Sequence, residues 1–411
     1  MKKSGISDNR SEGDSVASSN IQKQRWARNV FSRYAKNHRK RLRTRKKSFT
    51  TRRIPSSQSD GLKSAKPKTE KFKLLSNVLT VAPMYPEYRD KTLSFFKDIG
   101  SFLDSSEQSN FYGTVLLNLG KVEKVDPSGC AFLFSYIEMF QELYPRVNFK
   151  IKYPNQIKPH VGSSVETIQP NHVFNHLELY KQLGSPKAPL CHTLPPPKLK
   201  VWETESFAQS DSSLVGQILE NVCRKVPDVS REQIPKIYKI LIEAVNNCPE
   251  HAYDASFMNE KGLQYKKTRC LFATMEGRLV VVVADLGVGI RYTLEHGKAK
   301  DSWELFKRFQ RLVSRNKDFS SRDSECLQGM INIKNVRERS SRHKDFDNRG
   351  YGGVDLQKAI KELKGRLLIM SGKGSLMLDA SNPDSMDVDP KDFNTSLNGT
   401  LISMSIPLTV K

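Results

Sequence analysis

The chain has 411 residues and a net charge of +23, and hydrophobic residues make up 37% of it. The length predicts about two or three domains, and the low hydrophobic content predicts that part of the chain lies outside a packed core. The six cysteines show no paired spacing such as CxxC, which argues against a zinc site or a disulfide framework and favours a cytoplasmic protein. The longest apolar run is too short for a transmembrane segment, and the first twenty residues lack the apolar core of a signal peptide.

The N-terminal residues carry most of the charge. Residues 1–70 hold 20 lysines and arginines against five acidic residues, a net charge of +15, which leaves +8 for the rest of the chain. Their serine-rich composition predicts a basic, largely disordered arm over residues 1–71. Within residues 23–53, Trp26 and Tyr34 are eight residues apart among cations, a spacing that fits one edge of a short helix. Nucleic acid, an anionic membrane surface, a targeting signal and mere solubilisation all remain open as roles.

Residues 72–184 have the pattern of one α/β unit. Strands and helices alternate along this stretch, which predicts βαβ units and a mostly parallel sheet. The predicted strands cover residues 73–82, 113–119 and 147–153, and the predicted helices cover residues 88–103, 130–144 and 172–183. Gly184 is expected to end the last helix.

One turn in this unit carries a candidate regulatory serine. Residues 115–140 contain Asp126-Pro127-Ser128-Gly129 followed by an apolar helix, and this segment resembles the STAS domain of anti-sigma-factor antagonists. The resemblance covers residues 72–184 and implies that Ser128 is a phosphoacceptor, although Pro127 departs from the small polar residue usual there. A phosphate at a helix N-terminus would be stabilised by backbone amides and the helix dipole. The alternative is that Ser128 only caps the helix.

A second domain is predicted after a linker. Three consecutive prolines lie within residues 185–200, which predicts a stiff spacer. Within residues 201–411 the predicted strands cover residues 200–207, 267–275, 278–285, 366–371 and 401–407, and the predicted helices cover residues 214–225 and a long stretch capped by Ser230. A hairpin is expected around Glu276 and Gly277, and a loose acidic loop is expected over residues 379–392.

The long helix presents three polar residues. Glu243, Asn247 and His251 are four residues apart, so a helix places them on much the same side. A carboxylate and an amide oxygen suit Mg²⁺ and its waters. A carboxylate near a metal-bound phosphate can also orient or deprotonate a nucleophile. The alternative is a solvated polar face.

Two glycine-rich stretches follow in the chain. A β-branched strand ends at Asp285, which precedes Gly287 and Gly289. The carboxylate can accept a hydrogen bond from an exocyclic amine, and glycines let the backbone approach a flat ring. Later, Gly350, Gly352 and Gly353 precede a helix, where backbone amides and the helix dipole suit a phosphate.

Together these stretches resemble the GHKL superfamily of ATPases, which includes gyrase B, a heat-shock chaperone, histidine kinases and anti-sigma serine kinases. The terminal strand of that family is matched by Asn398-Gly399-Thr400 and the residues that follow. The resemblance implies a Bergerat-type α/β sandwich over residues 201–411, with an ATP lid at residues 291–349 that includes a helix at 303–313.

The resemblance also implies a role for each matched residue. Asn247 would bind Mg²⁺, Glu243 would position the attacking group, Asp285 would bind the adenine amine, and Thr400 would support the adenine end. Gly287 and Gly289 would lie against the base, and the glycines at 350–353 would hold the phosphates. Pro249, within the matched helix, removes one backbone hydrogen bond, and the residues after Gly353 fit the family pattern loosely.

These expectations describe a bacterial, cytoplasmic regulatory protein that binds ATP and Mg²⁺. It would act as a nucleotide-dependent switch, with ATPase or serine-kinase-like phosphoryl transfer to a STAS-type or sigma-regulator partner or to itself. A homodimer is allowed by the family likeness. One alternative is a nucleic-acid-associated factor tethered through residues 23–53, and another is a binding scaffold without turnover.

Overall fold

The computed structural model describes residues 68–108, 111, 113–156, 168–190, 201–208, 212–247, 252–253, 265–296, 322–339, 352–382 and 385–408. These belong to one unit, Pro67–Lys411. Residues 1–67 of the predicted arm, most of the linker, the predicted helix at 303–313, His251 and Gly350 lie outside the described residues. The arm prediction is wrong for its last four residues, 68–71, because they form part of a strand that pairs with residues 113–118. In the part that is described, no helix has both the length and the apolar character needed to cross a bilayer.

The described chain is a mixed α/β fold, as predicted. Its strands are β1 (Lys68–Lys73), β2 (Val78–Leu79), β3 (Gly113–Asn118), β4 (Lys124–Val125), β5 (Asn148–Lys152), β6 (Trp202–Phe207), β7 (Thr268–Met275), β8 (Arg278–Asp285), β9 (Arg366–Asp379) and β10 (Asp387–Pro407). Its helices are α1 (Pro86–Gln108), α2 (Pro127–Leu143), α3 (Pro170–His176), α4 (Leu179–Gln182), α5 (Ser212–Lys225), α6 (Gln233–Asn247), α7 (Ile290–His296), α8 (Asp323–Arg339) and α9 (Gly352–Glu362).

The N-terminal strands are parallel, as the alternating pattern predicted. β3 lies between β1 and β5, and β2 pairs with β4 in a second small sheet. The predicted strand over 73–82 is wrong, because the chain forms two strands separated by a turn at residues 74–77. The predicted helix over 172–183 is also wrong as a single helix, since Glu178 adopts a φ of 60° and splits it into α3 and α4. Gly184, with a φ of 62°, ends α4 as expected.

The C-terminal half contains an antiparallel sheet with the order β6-β7-β8-β10-β9. The predicted hairpin is confirmed, because β7 and β8 are joined by Glu276 and Gly277, both with positive φ. Two central residues with positive φ match the twist of adjacent strands. One face of this sheet packs against α5, α6 and α9, and we call it the helix face. The other packs against α2 of the N-terminal half, and we call it the α2 face.

β9 reverses direction within its own length. Ala380 donates its backbone N–H to the carbonyl of Gly365 at 2.9 Å, and Arg366 pairs with Asp379 at 2.7 Å. The two ends of β9 therefore lie side by side, and the chain turns at Gly372, whose φ is 60°.

The reversal lets both halves of β10 pair with β9. Residues 387–392 pair with residues 374–379, and residues 397–405 pair with residues 366–372. The predicted loose loop over 379–392 is therefore wrong for its last six residues. Leu376 and Leu378 are buried, and this period-2 apolar pattern is typical of a strand with one buried face.

Two helices lie within the segment predicted as a lid. α7 begins directly after Gly289, and α8 packs along β9 with Leu327 and Ile331 buried. Arg291 of α7 pairs with Asp323 of α8 at 3.1 Å. These contacts hold the described part of the segment against the sheet.

Candidate functional site

Four polar side chains lie next to one another across four strands at one end of the antiparallel sheet. Residues directly opposite in an antiparallel pair point to the same face, with Cβ atoms about 4.5–5.5 Å apart. We call this set the polar row. Its members, which the strand register places in this order, are Thr268 on β7, Asp285 on β8, Thr400 on β10 and Ser371 on β9.

The polar row points toward the helix face. Each of its strands continues with alternate residues that pack on α5, α6 and α9 (for example Cys270, Val283 and Ile402). Asp285 is only 2% exposed and Thr268 only 1% exposed. A carboxylate in this position has been taken out of water, which costs free energy unless hydrogen bonds compensate.

The chain packs so closely around Asp285 that two neighbouring glycine positions, Gly289 and Gly399, leave no room for a side chain. Gly287 donates its N–H to the Asp285 carboxylate at 2.8 Å. Gly399 has a φ of 85°, and a Cβ there would lie 2.0 Å from the Asp285 carbonyl oxygen. Gly289 has a φ of 81°, and a Cβ there would meet the Ser371 hydroxyl at 2.8 Å. These positions require glycine for backbone conformation and for close approach.

The Ser371 hydroxyl, which belongs to the polar row, both accepts and donates a hydrogen bond. It accepts the Ile290 N–H at 2.8 Å and donates to the Gly399 carbonyl at 3.1 Å. It therefore joins the start of α7 to the strand that carries Thr400.

Thr268 differs from Ser371, because its hydroxyl has no hydrogen-bond partner among the described residues. Sequence reasoning missed this residue. The sequence nevertheless contained the information: a two-residue hairpin loop at Glu276-Gly277 pairs Met275 with Arg278, and the same register places Thr268 opposite Asp285.

The predicted helix with Glu243 and Asn247 is confirmed as α6. Ser230 and Gln233 form a reciprocal cap at its start, with the Ser230 N–H donating to Gln233 Oε1 at 2.9 Å and the Gln233 N–H donating to Ser230 Oγ at 3.3 Å. Glu243 is half-buried. Asn247 is the last residue of α6 that the structure describes, and its side chain lies outside the described residues.

The three predicted nucleotide elements are neighbours in space. α6 packs on β8, which ends at Asp285, and also on α9, which begins with Gly352 and Gly353. Lys236 of α6 pairs with Glu362 of α9 at 3.2 Å. The structure thus gathers the elements of Glu243, Asp285 and the second glycine stretch around one side of the sheet.

Ala252 and Tyr253 cover the loop after β8. The Ala252 carbonyl accepts the Val288 N–H at 3.2 Å. The Tyr253 hydroxyl donates to the Lys267 carbonyl at 2.6 Å and accepts the Leu286 N–H at 3.4 Å. These contacts hold Ala252 and Tyr253 against the loop that follows Asp285.

The α2 face carries a different polar cluster, centred on Glu138 of α2. Its carboxylate accepts from four groups of the C-terminal half: the Ser206 hydroxyl at 3.2 Å, the Tyr265 hydroxyl at 3.4 Å, the Lys267 ammonium at 2.9 Å and the Arg269 guanidinium. Burial by itself would raise the pKa of Glu138, but the ion pairs with Arg269 and Lys267 outweigh it and hold this pKa below its ordinary value.

Ser128 lies at the start of α2, buried within the N-terminal half. Asp126 caps this helix and accepts from the Ser128 N–H at 2.9 Å and from the Ser128 hydroxyl. The Val81 N–H donates to the same hydroxyl at 3.4 Å. Burial raises the pKa of Asp126, and its hydrogen bonds from Ser128 and Gly129 oppose that rise.

Neither a search for metal-ligand clusters nor a comparison with known proteins indicates what this chain binds. In the described ranges, no group of three or more His, Cys, Asp or Glu side chains is arranged to hold a metal ion. No protein-family model matches the chain, and no relative is found among curated proteins.

Proposed function

We propose that residues 201–411 bind ATP and Mg²⁺ and that the chain is a nucleotide-dependent regulatory protein of the GHKL type. The observation that carries the proposal is the buried Asp285 carboxylate at the end of β8, on the helix face. It is held by the Gly287 N–H and bordered by the Thr268 hydroxyl, which has no partner in the part of the chain that the structure describes. The Asp285 carboxylate is an acceptor and the Thr268 hydroxyl is a donor, and such a pair suits the hydrogen-bonding edge of a purine.

The residues present fit the adenine end of a nucleotide. Asp285 would accept from the exocyclic amine, and Thr400, its neighbour in the strand pair, would lie beside it. Gly287 and Gly289 would keep the backbone close to the base. Ala252 and Tyr253 would move on binding, because they now cover this loop.

The phosphate end would involve α6 and the start of α9. Glu243 and Asn247 offer a carboxylate and an amide to Mg²⁺ and its waters. Gly350, Gly352 and Gly353 would bring backbone amides to the phosphates. When bound, Mg²⁺ would neutralise phosphate charge, while Glu243 would orient the attacking group.

The position of Ser128 favours a switch over phosphoryl transfer within one chain. Ser128 is only 4% exposed and is bonded to Asp126. Its helix packs on the α2 face, whereas Asp285 points to the helix face. A γ-phosphate on the helix face would be separated from Ser128 by the sheet, so transfer to this serine would require a second molecule or local opening.

We expect wild-type protein to bind ATP–Mg²⁺ and Asn247→Ala to lose the contribution of Mg²⁺ to affinity. Calorimetry with and without Mg²⁺ measures that contribution, and phosphate release in the same samples separates an enzyme from a switch.

γ-Phosphate labelling of wild type and Ser128→Ala tests the kinase version. Label that persists in Ser128→Ala excludes this serine as the acceptor. In the calorimetry, a wild-type protein that does not bind ATP at millimolar concentration refutes the proposed nucleotide site.

The charge of the arm favours a second candidate function. A net charge of +15 over residues 1–70 suits a nucleic-acid backbone, with ATP acting as a conformational switch. Deleting residues 1–66 is then expected to reduce both nucleic-acid affinity and its dependence on salt. An unchanged salt dependence would exclude the arm as the binding element.

A further inference from the structure

Thr268 carries an inference that deepens the proposed nucleotide site and rests on it. We propose that Thr268 is a specificity-determining residue, whose hydroxyl donates to ring nitrogen N1 of adenine, directly or through one water. This residue belongs to none of the sequence motifs that pointed to ATP. The proposal comes from its register, its burial and its unpartnered hydroxyl.

The register places Thr268 beside the group proposed to bind the adenine amine. Thr268 is directly opposite Asp285 in the β7–β8 pair, so both side chains point to the helix face. On adenine, N1 is an acceptor adjacent to the carbon that bears the amine. A carboxylate for the amine and a hydroxyl donor for N1 would match this edge of the base.

Thr268 differs from Thr204, a threonine of the same sheet, because only the Thr204 hydroxyl has hydrogen-bond partners among the described residues. Thr204 on β6 donates to the Cys270 carbonyl at 3.0 Å and also contacts Arg269 at 3.1 Å. Within the described part of the sheet, Thr268 is the one buried residue on the helix face with an unpartnered side-chain oxygen or nitrogen. A buried polar atom without a partner lowers stability, and a bound base would supply the missing partner.

The substitution Thr268→Val tests this role because it keeps the side-chain shape and removes the hydroxyl. We expect ATP affinity to fall about tenfold or more, the effect of losing one hydrogen bond to a bound ligand. We expect Thr268→Ser to stay within about threefold of wild type, because it retains a hydroxyl. The thermal midpoint of nucleotide-free Thr268→Val should stay the same or rise, because none of the described residues bonds to the lost hydroxyl.

Thr204→Val is the matched control on the same sheet. Its hydroxyl is bonded to Cys270 and Arg269, so we expect a lower thermal midpoint and unchanged ATP affinity. The two threonines should thus show opposite effects on stability and on binding. A purely structural role for Thr268 would instead lower its thermal midpoint and leave the affinity unchanged.

An ATP analogue with carbon in place of N1 completes the experiment by calorimetry. Wild type should bind this analogue about as weakly as Thr268→Val binds ATP, and Thr268→Val should lose nothing more with the analogue. If Thr268→Val binds ATP like wild type, the role of Thr268 is overturned and the nucleotide site stands. If wild type binds no ATP, the site and the role of Thr268 are both overturned.

Discussion

Thr268 and Arg269 are consecutive residues of β7, yet their environments are opposite. Thr268 points to the helix face, where its hydroxyl has no partner among the described residues. Arg269 points to the α2 face, where its two terminal nitrogens bond to Thr204 and Glu138. Both side chains are buried.

The difference distinguishes two uses of buried polar groups. On the α2 face, the terminal nitrogens of Arg269 bond to Thr204 and Glu138, as expected where polar groups hold two parts of a fold together, although Arg269 Nε and Trp202 Nε1 have no partner among the described residues. On the helix face, the Asp285 carboxylate and the Thr268 hydroxyl lie side by side, and no described residue bonds to the hydroxyl. The first arrangement supports structure, and the second suits a ligand.

The largest expected effect comes from breaking the turn beside the polar row. Gly399→Ala would place a Cβ 2.0 Å from the Asp285 carbonyl oxygen at a φ of 85°. The strain and the overpacking together should cost about 2–5 kcal/mol of unfolding free energy in urea denaturation. Gly277→Ala is the control: its φ of 69° is similar, but no atom lies within 4 Å of the added Cβ, so only about 1–2 kcal/mol should be lost. Equal losses would refute the close approach at Gly399.

The next effect tests the α2 face. Glu138→Ala leaves Arg269 and Lys267 without their shared carboxylate and should cost about 2 kcal/mol of unfolding free energy, because buried donors lose their acceptor. Glu142→Ala also removes a partner of Lys267, but this carboxylate is more exposed, with 46% side-chain exposure against 20% for Glu138. Its loss should cost less than about 1 kcal/mol. Urea denaturation compares the two variants, and an equal cost would show that Glu138 is not central to this interface.

A smaller effect is expected from pH. The pKa of Glu138 lies below its ordinary value, so the ionised carboxylate stabilises the fold above that ordinary value. This stabilisation is lost as pH falls through the lowered pKa. Wild type should therefore lose more unfolding free energy than Glu138→Gln between about pH 5 and pH 3. Parallel pH profiles for the two proteins would contradict the assignment.

Much of the fold followed from local pattern. The β7–β8 hairpin was predictable because Glu276-Gly277 separates two apolar strands, and the parallel N-terminal strands followed from alternation with helices. The position of Asp285 at the end of a buried strand was predictable because a β-branched run leads up to it and a glycine turn follows directly.

Other features depended on tertiary contacts that a single sequence does not reveal. The reversal of β9 at Gly372 depends on pairing with both halves of β10. The docking of α2 on the sheet depends on Glu138 meeting side chains more than 60 residues away in sequence. The unused hydroxyl of Thr268 is visible only when the neighbours of every buried atom are known.

The central claim is that the helix face of the sheet binds ATP through Asp285. Calorimetric titration of ATP–Mg²⁺ into wild type, Asp285→Asn and Glu138→Gln tests it most directly. We expect Asp285→Asn to lose about 10- to 100-fold in affinity, because an amide replaces a charged acceptor of the base amine. Glu138→Gln, changed on the other face, should bind like wild type. Equal binding by all three proteins, or no binding by wild type, would contradict the account.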